Sequence, residues 1–325
     1  MSHGMSRSLA KALMKIWPNH PKEDNLNLQE IFNHESYTHA PIEKQRRIQL
    51  QSAQFRYEYE KEVYCFLEKY FPNIPPGDFH NKSILDLGSF TGGRLVYWVE
   101  RYGFREARGI DVDPIYAEAG ELFARSKGVN ARFDTGFGES LPYDSNHFDF
   151  VVSCDVFEHV QNVEQVMQEC FRVLKPGGKL LAVFPQFCQP LESHLGLATK
   201  MPALNWLFSG RTLTRAYYEV LLDRGRESSW YARQSPNLAE WEKSPCLNGI
   251  SVARFRRIVK AEKGWNALYW GRNSILSHGR KANRFPFRLL RYLFVLPACL
   301  PILEELFLGR VCCVLEKREI GVPKE

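Results

Sequence analysis

The chain has 325 residues, of which 44% are hydrophobic and 25% are charged, as in a soluble globular protein with one large α/β core or two smaller ones. Its eight cysteines include no CxxC pair, which argues against a clustered zinc site and favours a reduced cytoplasmic protein. The adjacent Cys312 and Cys313 lie in an apolar run and are expected to point to opposite faces of a strand. We also expect no signal peptide and no transmembrane segment. Residues 1–17 lack a continuous apolar stretch, and the apolar run 293–303 is short and interrupted by prolines.

The net charge of +6 is unevenly distributed along the chain. Residues 186–310 contain 19 Lys or Arg and 9 Asp or Glu, so this segment is strongly basic. A solvated basic surface is one interpretation of the excess. The other is contact with an anionic small molecule, a nucleic acid or a membrane surface.

Helices are predicted before residue 80. The N-terminus has helical spacing and predicts a short amphipathic helix with one apolar stripe: Leu9, Leu13, Ile16 and Trp17. A longer helix is predicted over residues 42–71, with spacings of three and four along one face: Ile48, Gln51 or Ser52, Phe55, Tyr59, Val63 and Phe66. Prolines and a glycine at residues 72–77 then end it.

From residue 83, short apolar runs alternate with helical stretches. Five strands are predicted in the segments SILDL, ARGIDV, NARFDTG, HFDFVVSCD and KLLAVFP. Consecutive parallel strands need a helical crossover, so this alternation predicts a doubly wound, mostly parallel sheet. The alternation stops after residue 185 and resumes with a helix at SVARFRRIVKAEKG and strands at WNALYWG and RVCCVLEK.

This pattern predicts four regions. Residues 1–80 form an N-terminal helical cap, and residues 81–185 form the first part of the α/β core. Residues 186–250 form a lid, and residues 251–325 complete the core around a second insertion at 277–309. Both insertions follow late strands of one sheet, so we interpret them as a substrate lid.

The ends of the first two predicted strands carry a ligand-binding pattern. Asp86 and Gly88 close the first strand, Gly92 opens the next helix, and Asp111 closes the second strand. Ligands of open α/β sheets bind at such ends, and an acid after the second strand suits a pair of ribose hydroxyls. The spacing is not GxGxxG, and Asp86 would repel a pyrophosphate, so a dinucleotide cofactor is disfavoured.

Four ordered segments resemble motifs of the class I S-adenosylmethionine-dependent methyltransferases, and most of all of their type 11 group. These are LDLGSFTGG, GIDVDP, GESLPYDSNHFDFVVSCDVFEHV and FRVLKPGGKLLAVFP, all within residues 83–185. The resemblance implies a Rossmann-like fold with a seven-stranded sheet. It also implies S-adenosyl-L-methionine as the cofactor and S-adenosyl-L-homocysteine as its product.

By the same resemblance, the cofactor lies across several strand ends. The implied contacts are Asp86 with its amino end, Gly88, Ser89 and Gly92 with its methionine part, Cys154 and Asp155 with its sulfonium side, Asp111 with its ribose hydroxyls, Val112 with its adenine ring, and Gly138 and Glu139 with the adenine pocket.

Two residues depart from the family pattern. Phe90 replaces the central glycine of the first motif, and Phe137 stands where an aspartate that contacts adenine is common. We expect the loop to function if Phe90 has a negative φ and its ring points away from the cofactor, since Gly88 and Gly92 still permit close approach. The alternative is that the ring fills the pocket and the domain is non-catalytic.

Methyl transfer relies on positioning, although a base helps when the acceptor is a hydroxyl or an amine. The predicted catalytic residues are Asp155 and His159, after the fourth strand, and His194 in the lid. A structural role for His159 is the alternative. Asp155, Glu158 and His159 also resemble the divalent-metal site of some O-methyltransferases, but we predict no metal and keep a divalent ion as the less favoured alternative.

The sequence thus predicts methylation of a small-molecule or lipid-linked acceptor on oxygen or nitrogen. The basic lid, with Arg211 and Arg215, favours an anionic sugar or a secondary-metabolite intermediate. An RNA methyltransferase and a non-catalytic cofactor-binding or scaffold protein are the alternatives; a nucleic-acid partner is disfavoured because no appended RNA-binding module is visible.

The apolar segment 285–309 would allow peripheral membrane contact, although a helix that covers the sheet is the plainer interpretation. The oligomeric state stays open.

Overall fold

The computed structural model describes residues 3–19, 37, 39–190, 195–196, 198–224, 248–271, 273–274, 293, 297, 299–300 and 303–318. Helix α1 (His3–Ile16) comes first. Helix α2 (Ile42–Tyr59) continues as a π-helical turn (Glu60–Tyr64), and helix α3 (Phe66–Tyr70) follows. The single helix predicted over residues 42–71 is interrupted, because Cys65 takes a left-handed conformation with a φ of 44°.

Eight strands form the sheet that holds the molecule together. They are β1 (Ser83–Leu87), β2 (Glu106–Asp111), β3 (Ala131–Thr135), β4 (Phe148–Cys154), β5 (Leu174–Phe184), β6 (Trp265–Trp270), β7 (Asn273–Ser274) and β8 (Leu308–Lys317). Seven lie in the order β3-β2-β1-β4-β5-β8-β6, and the two-residue β7 pairs with β8. Strands β1 to β5 are parallel, and β8 is antiparallel to β5 and β6. The predicted doubly wound, mostly parallel sheet is confirmed.

The helices flank this sheet and begin at polar capping residues. The core helices are α4 (Gly93–Tyr102), α5 (Pro114–Lys127), α6 (Val163–Val173) and α9 (Val252–Ala261), and the others are α7 (Leu204–Leu207), α8 (Gly210–Leu222) and α10 (Glu304–Phe307). The side chains of Asp113, Asn162 and Ser251 accept hydrogen bonds from backbone N–H groups in the first turns of α5, α6 and α9. Such caps satisfy donors that the helix itself leaves unpaired.

Each face of the sheet packs on its own apolar cluster. Cys312 belongs to the cluster that includes α3 and α4, whereas Cys313 belongs to the cluster that includes α6 and α9. The expectation that these adjacent cysteines point to opposite faces of a strand is confirmed, as the side-chain alternation of a strand requires. Both are fully buried, and both are free thiols.

Helix α1 packs on α8 through a face that only partly includes the predicted apolar stripe. Ala10 and Met14 are fully buried there, whereas Leu9 is 47% and Ile16 67% exposed. Three bases on α1 form ion pairs with two acids of α8: Arg7, Lys11 and Lys15 with Glu219 and Asp223. The predicted short helix is present, and its predicted stripe is partly packed: Leu13 lies against this cluster, whereas Leu9, Ile16 and Trp17 are exposed.

Helix α2 lies across α4 and α5, and its predicted stripe is only partly buried: Ser52 on α2 and Phe66 on α3 are fully buried, and Ile48 is partly buried. Its buried residues are Gln49, Ser52 and Ala53, whereas Phe55 is 52% exposed. A Cβ atom on Gly93, at the start of α4, would overlap the backbone oxygen of Ala53. Because the two helices approach this closely, small and polar residues form the contact and the large apolar ones are displaced from it.

No helix within the described parts of the chain combines the length and the apolar character needed to cross a bilayer. Most of the apolar segment 285–309, predicted to allow membrane contact, lies outside the described residues.

Candidate functional site

The loop after β1 is a tight turn that brings backbone close to the end of β4. Gly88 has a φ of 75°, and a Cβ atom there would overlap Cγ2 of Val156. The N–H groups of Gly88 and Ser89 both donate to the carbonyl oxygen of Ile110. Gly92, with a φ of 76°, caps the start of α4. Only glycine fits position 88, since both the conformation and the neighbouring strand exclude a side chain.

Phe90 adopts a left-handed backbone conformation. Its φ is 49°, so the expected negative φ is wrong. The ring packs on Tyr116 of α5, with centroids 4.3 Å apart, and the guanidinium of Arg56 lies 4.8 Å from its centroid. Aromatic stacking and the cation–π contact help to offset the strain of a left-handed phenylalanine. The turn thus keeps its shape without its central glycine.

The end of β2 presents a carboxylate that is held by backbone donors. Asp111 Oδ2 accepts from the N–H of Phe90 at 2.8 Å, and Oδ1 accepts from that of Asp113 at 3.5 Å. Burial raises the pKa of Asp111 to about 6, against the opposing effect of these N–H groups. The next side chain, Val112, is 57% exposed. A hydrogen-bond acceptor beside an open apolar surface suits a ribose with its attached base.

Asp86 lies beneath the loop and has a partner within the protein. It is fully buried on β1, and Arg94 Nη2 donates to its Oδ1 at 2.6 Å. Burial raises the pKa of the Asp86 carboxyl, and the Arg94 guanidinium opposes that shift. A direct contact between Asp86 and a ligand ammonium would compete with this ion pair. The predicted contact stays a prediction.

The segment after β3 connects to the start of α6. Glu139 Oε1 accepts from the N–H groups of Gln161 and Asn162, so its carboxylate caps the residues that precede α6. Gly138 is buried against Val166 and Leu87. Phe137 is 61% exposed at this edge. The structure gives Glu139 a structural role, and its part in an adenine pocket stays a prediction.

The end of β4 is surrounded by cationic and phenolic groups. Cys154 is buried, and its Sγ is 3.4 Å from the hydroxyl of Tyr64. Burial raises the pKa of the Cys154 thiol, so it is neutral at ordinary pH. Asp155 has a φ of 58°, and its Oδ1 accepts from Arg310 Nη1 at 2.5 Å. Arg310 comes from β8, which is distant in sequence.

The candidate bases have different positions. His159 is partly exposed, and its Nε2 is 3.6 Å from Oε1 of the buried Glu158. His194 lies outside the described residues. Among the residues that the structure describes, no three His, Cys, Asp or Glu side chains form a group able to hold a metal ion. Arg211 and Arg215 are exposed on α8.

Three arginines at this edge of the sheet were not predicted from the sequence. Arg94 pairs with Asp86, Arg310 pairs with Asp155, and Arg56 of α2 lies over Phe90. A signal for Arg56 was present in the polar series Gln49, Ser52, Arg56 and Glu60, which recurs at helical spacing. Burial of a polar series is informative because it requires specific partners.

The parallel register brings the predicted cofactor residues to one edge. Leu87 pairs with Ile110 on one side and Ser153 on the other, so Gly88, Asp111 and Cys154 follow at the ends of adjacent strands. This edge contains the point where strand order reverses, which is where doubly wound sheets bind ligands. This edge thus combines the tight turn at Gly88, the carboxylate of Asp111 and the arginines near the end of β4.

Comparison with known proteins shows the fold and a methyltransferase domain within the chain. The family described as "Methyltransferase domain" matches residues 85–182. The chain is 32% identical to norajmaline N-methyltransferase from Rauvolfia serpentina, over 31% of this chain and 35% of that one. It is 30% identical to demethylmenaquinone methyltransferase from Thermus thermophilus, over 40% of this chain and 60% of that one. The chain thus spans less than two thirds of these relatives.

The fold extends beyond the matched domain. A chain in the complex between the Haloferax volcanii Trm112 methyltransferase activator and a methyltransferase superposes with a TM-score of 0.50. It is 16% identical, and the match covers 83% of this chain and 97% of that one. The match over residues 85–182 shows a methyltransferase domain in this chain, and the wider superposition shows its fold.

Proposed function

We propose that this methyltransferase transfers a methyl group from S-adenosylmethionine to oxygen or nitrogen of a small-molecule or lipid-linked acceptor. The observation that carries the proposal is the carboxylate of Asp111, which is held by backbone N–H groups beside the exposed Val112 and next to the turn at Gly88. These residues fit a nucleoside at the carboxyl edge of a doubly wound sheet. When bound, S-adenosylmethionine supplies an electrophilic methyl group on a sulfonium sulfur.

The residues of the chain then bind and orient. Asp111 would accept from the ribose hydroxyls, and Val112 would cover one face of the adenine ring. Gly88, Ser89 and Gly92 would allow the methionine part to lie against backbone. Cys154 would line the sulfonium side as a neutral thiol, because a buried thiolate would be costly. This arrangement contributes by holding two reactants in line rather than by forming a covalent bond with the protein.

An acceptor that loses a proton needs a base near the end of β4. His159 is the proposed base because it is partly exposed and its imidazole lies near the Glu158 carboxyl. Asp155 would orient the acceptor or share this role, although its carboxylate is already paired with Arg310. A small acceptor is supported by the relatives, which are named as methyltransferases of small molecules. The basic charge of residues 186–310 supports an anionic one.

We further propose that the protein works in the cytoplasm. The cysteines of the described residues are free, and four of them are buried in the core: Cys154, Cys170, Cys312 and Cys313. Buried free thiols suit a reducing compartment.

The test is calorimetric titration with S-adenosylhomocysteine of the wild type and an Asp111→Ala variant. We expect the affinity to fall at least about 100-fold, since two charge-assisted hydrogen bonds are lost. Asp78→Asn is the matched control, because Asp78 is an exposed acid in the 3₁₀ turn before β1. It should bind like the wild type.

The alternatives give other outcomes. A folded wild type that does not bind S-adenosylhomocysteine would favour a non-catalytic protein of the same fold. An RNA methyltransferase would bind RNA with an affinity that falls steeply with salt, as counterion release requires. A small-molecule enzyme would show no such binding.

A further inference from the structure

Helix α1 and the described residues of 195–224 pack together as one unit, which we call the lid unit. Its buried apolar side chains form a cluster of their own, separate from the two clusters on the faces of the sheet. The hydroxyl of Thr199 and the N–H of Lys200 both donate to the carbonyl oxygen of Trp17. The N-terminal helix therefore belongs to the covering of the sheet and not to its core.

The lid unit lies at the carboxyl edge of the parallel strands, which is the edge of the candidate site. Asn205 Nδ2 donates to the carbonyl oxygen of Phe187, just after β5, at 3.0 Å. The indole N–H of Trp206 donates to the carbonyl oxygen of Cys188 at 2.8 Å, and its ring lies 6.4 Å from that of Phe307, just before β8. Because β8 is antiparallel to β5, both contacts are at the same edge.

Large apolar side chains are exposed on the lid unit. Trp206 and Leu207 are exposed on α7, and Leu207 is 68% exposed. Ile16 and Trp17 are exposed at the end of α1, which is joined to the stretch that leads into α7. Exposed apolar residues grouped in this way mark a surface that binds a protein or a membrane.

The charge of the lid unit indicates which of these partners it meets. Its described residues contain seven Lys or Arg and two Asp or Glu, a surplus of five, whereas the whole chain has a net charge of +6. Both acids, Glu219 and Asp223, are paired with bases of α1. Lys200 and Arg211 are exposed, one before and one after the exposed pair on α7. The partner is therefore anionic.

An anionic bilayer fits these features better than a second copy of the chain. Indole rings favour the headgroup level, aliphatic side chains enter the acyl boundary, and Lys and Arg attract anionic lipids. A second copy would bring two surpluses of positive charge together, so repulsion opposes that contact.

We propose that the lid unit docks on an anionic lipid bilayer through Ile16, Trp17, Trp206 and Leu207. The inference rests on the proposed function and favours the lipid-linked acceptor within it. A bilayer on this surface lies next to the segment after β5, so an acceptor held in the membrane has a short path to the strand ends.

The experiment is co-sedimentation of the full chain with two kinds of vesicle. One is phosphatidylcholine alone, and the other is an equal mixture of phosphatidylcholine and phosphatidylglycerol. The wild type should partition at least about tenfold more strongly onto the mixed vesicles. Leu207→Ser should weaken that partitioning by about five- to tenfold, and adding Trp17→Ser should weaken it further. Leu268→Ser, on β6, is the matched control because Leu268 is also exposed.

A second pair of variants tests the charge. Lys200→Gln with Arg211→Gln should lower partitioning onto the mixed vesicles by about fivefold for each residue and leave phosphatidylcholine vesicles unaffected. Arg46→Gln with Arg47→Gln removes the same charge from an exposed part of α2 and should have no such effect.

The proposal is overturned if the wild type sediments equally with both kinds of vesicle, or if Leu207→Ser sediments like the wild type. It is also overturned if light scattering shows a dimer that Leu207→Ser dissociates, since the surface would then be an interface between copies. Titration with S-adenosylhomocysteine separates this result from the proposed function. A wild type that binds vesicles but not the nucleoside contradicts the proposed function, and the reverse contradicts only the docking surface.

Discussion

The ends of β2 and β4 both lead into an aspartate, but the two carboxylates have different surroundings. Asp111 accepts from the neutral backbone N–H groups of Phe90 and Asp113. Asp155 instead accepts from the guanidinium of Arg310, and the charge of Arg56 acts nearby. Neutral donors leave a carboxylate able to bind neutral hydroxyls. Guanidinium groups neutralise it and leave the region positive. One residue type thus has neutral donors at one strand end and cationic partners at the other.

The largest loss of stability should follow substitution of Gly88, in the turn between these two strand ends. Gly88→Ala places a methyl group against Val156 at a positive φ, so we expect the free energy of unfolding to fall by about 2–4 kcal/mol. Urea denaturation measures this change. Gly177→Ala is the control, because Gly177 has a φ of 76° but no atom within 4 Å of the added methyl. It should lose only about 1 kcal/mol, and equal losses would show that the close approach to β4 is unimportant.

The two aspartates should also differ in their effect on the pH dependence of S-adenosylhomocysteine binding. Burial raises the pKa of Asp111 to about 6 from an ordinary value of about 4. The ionised form is the better acceptor for ribose hydroxyls, so affinity for S-adenosylhomocysteine should rise about fivefold from pH 5 to pH 6, reach about tenfold by pH 7 and level off above it. Calorimetry across this range measures the profile.

The matching variants show which strand end is responsible. Asp111→Asn should remove the pH dependence below pH 7, and Asp155→Asn should leave it unchanged. A profile that flattened only in Asp155→Asn would assign the titration to the end of β4. The comparison between the two ends would then be wrong.

Loss of the ion pair between Arg310 and Asp155, at the end of β4, should have the smallest effect on stability. Arg310→Gln should lower the free energy of unfolding by about 1 kcal/mol, because Arg310 is mostly buried while Asp155 is partly exposed. Arg101→Gln removes a more exposed pair with Glu68, at 3.7 Å, and should cost less than about 0.5 kcal/mol. Thermal unfolding resolves the difference. Identical midpoints for the two variants would show that Arg310 does not stabilise this end.

The core was predictable because its signals are local. The runs from SILDL to KLLAVFP predicted parallel strands, and the sheet contains them in a doubly wound order. Adjacent cysteines at the end of the chain were correctly assigned to opposite faces. Asp111 was predicted to close the second strand and is the last residue of β2. Each result depends only on alternation or on a short motif.

The packing of helices α1 and α2 was not predictable in the same way. Of the stripes assigned to α1 and α2, Leu9, Ile16 and Phe55 are exposed, whereas Leu13 and Ser52 are packed. Helix α1 also pairs with Glu219 of α8, and α2 approaches Gly93 of α4 closely. Those partners lie far away in sequence. A hydrophobic stripe indicates a buried face only when packing, rather than charge or backbone proximity, determines the contact.

The sequence by itself determined the order of the strands along the chain, the turn after β1 and the acid after β2, because these depend on neighbouring residues. Only the tertiary structure decided the charge of the site. Arg56, Arg94 and Arg310 come from α2, α4 and β8, and they meet at one edge of the sheet. The physical reason is that the net charge of a site depends on which charged side chains lie together there. For residues that are distant in sequence, only folding determines this.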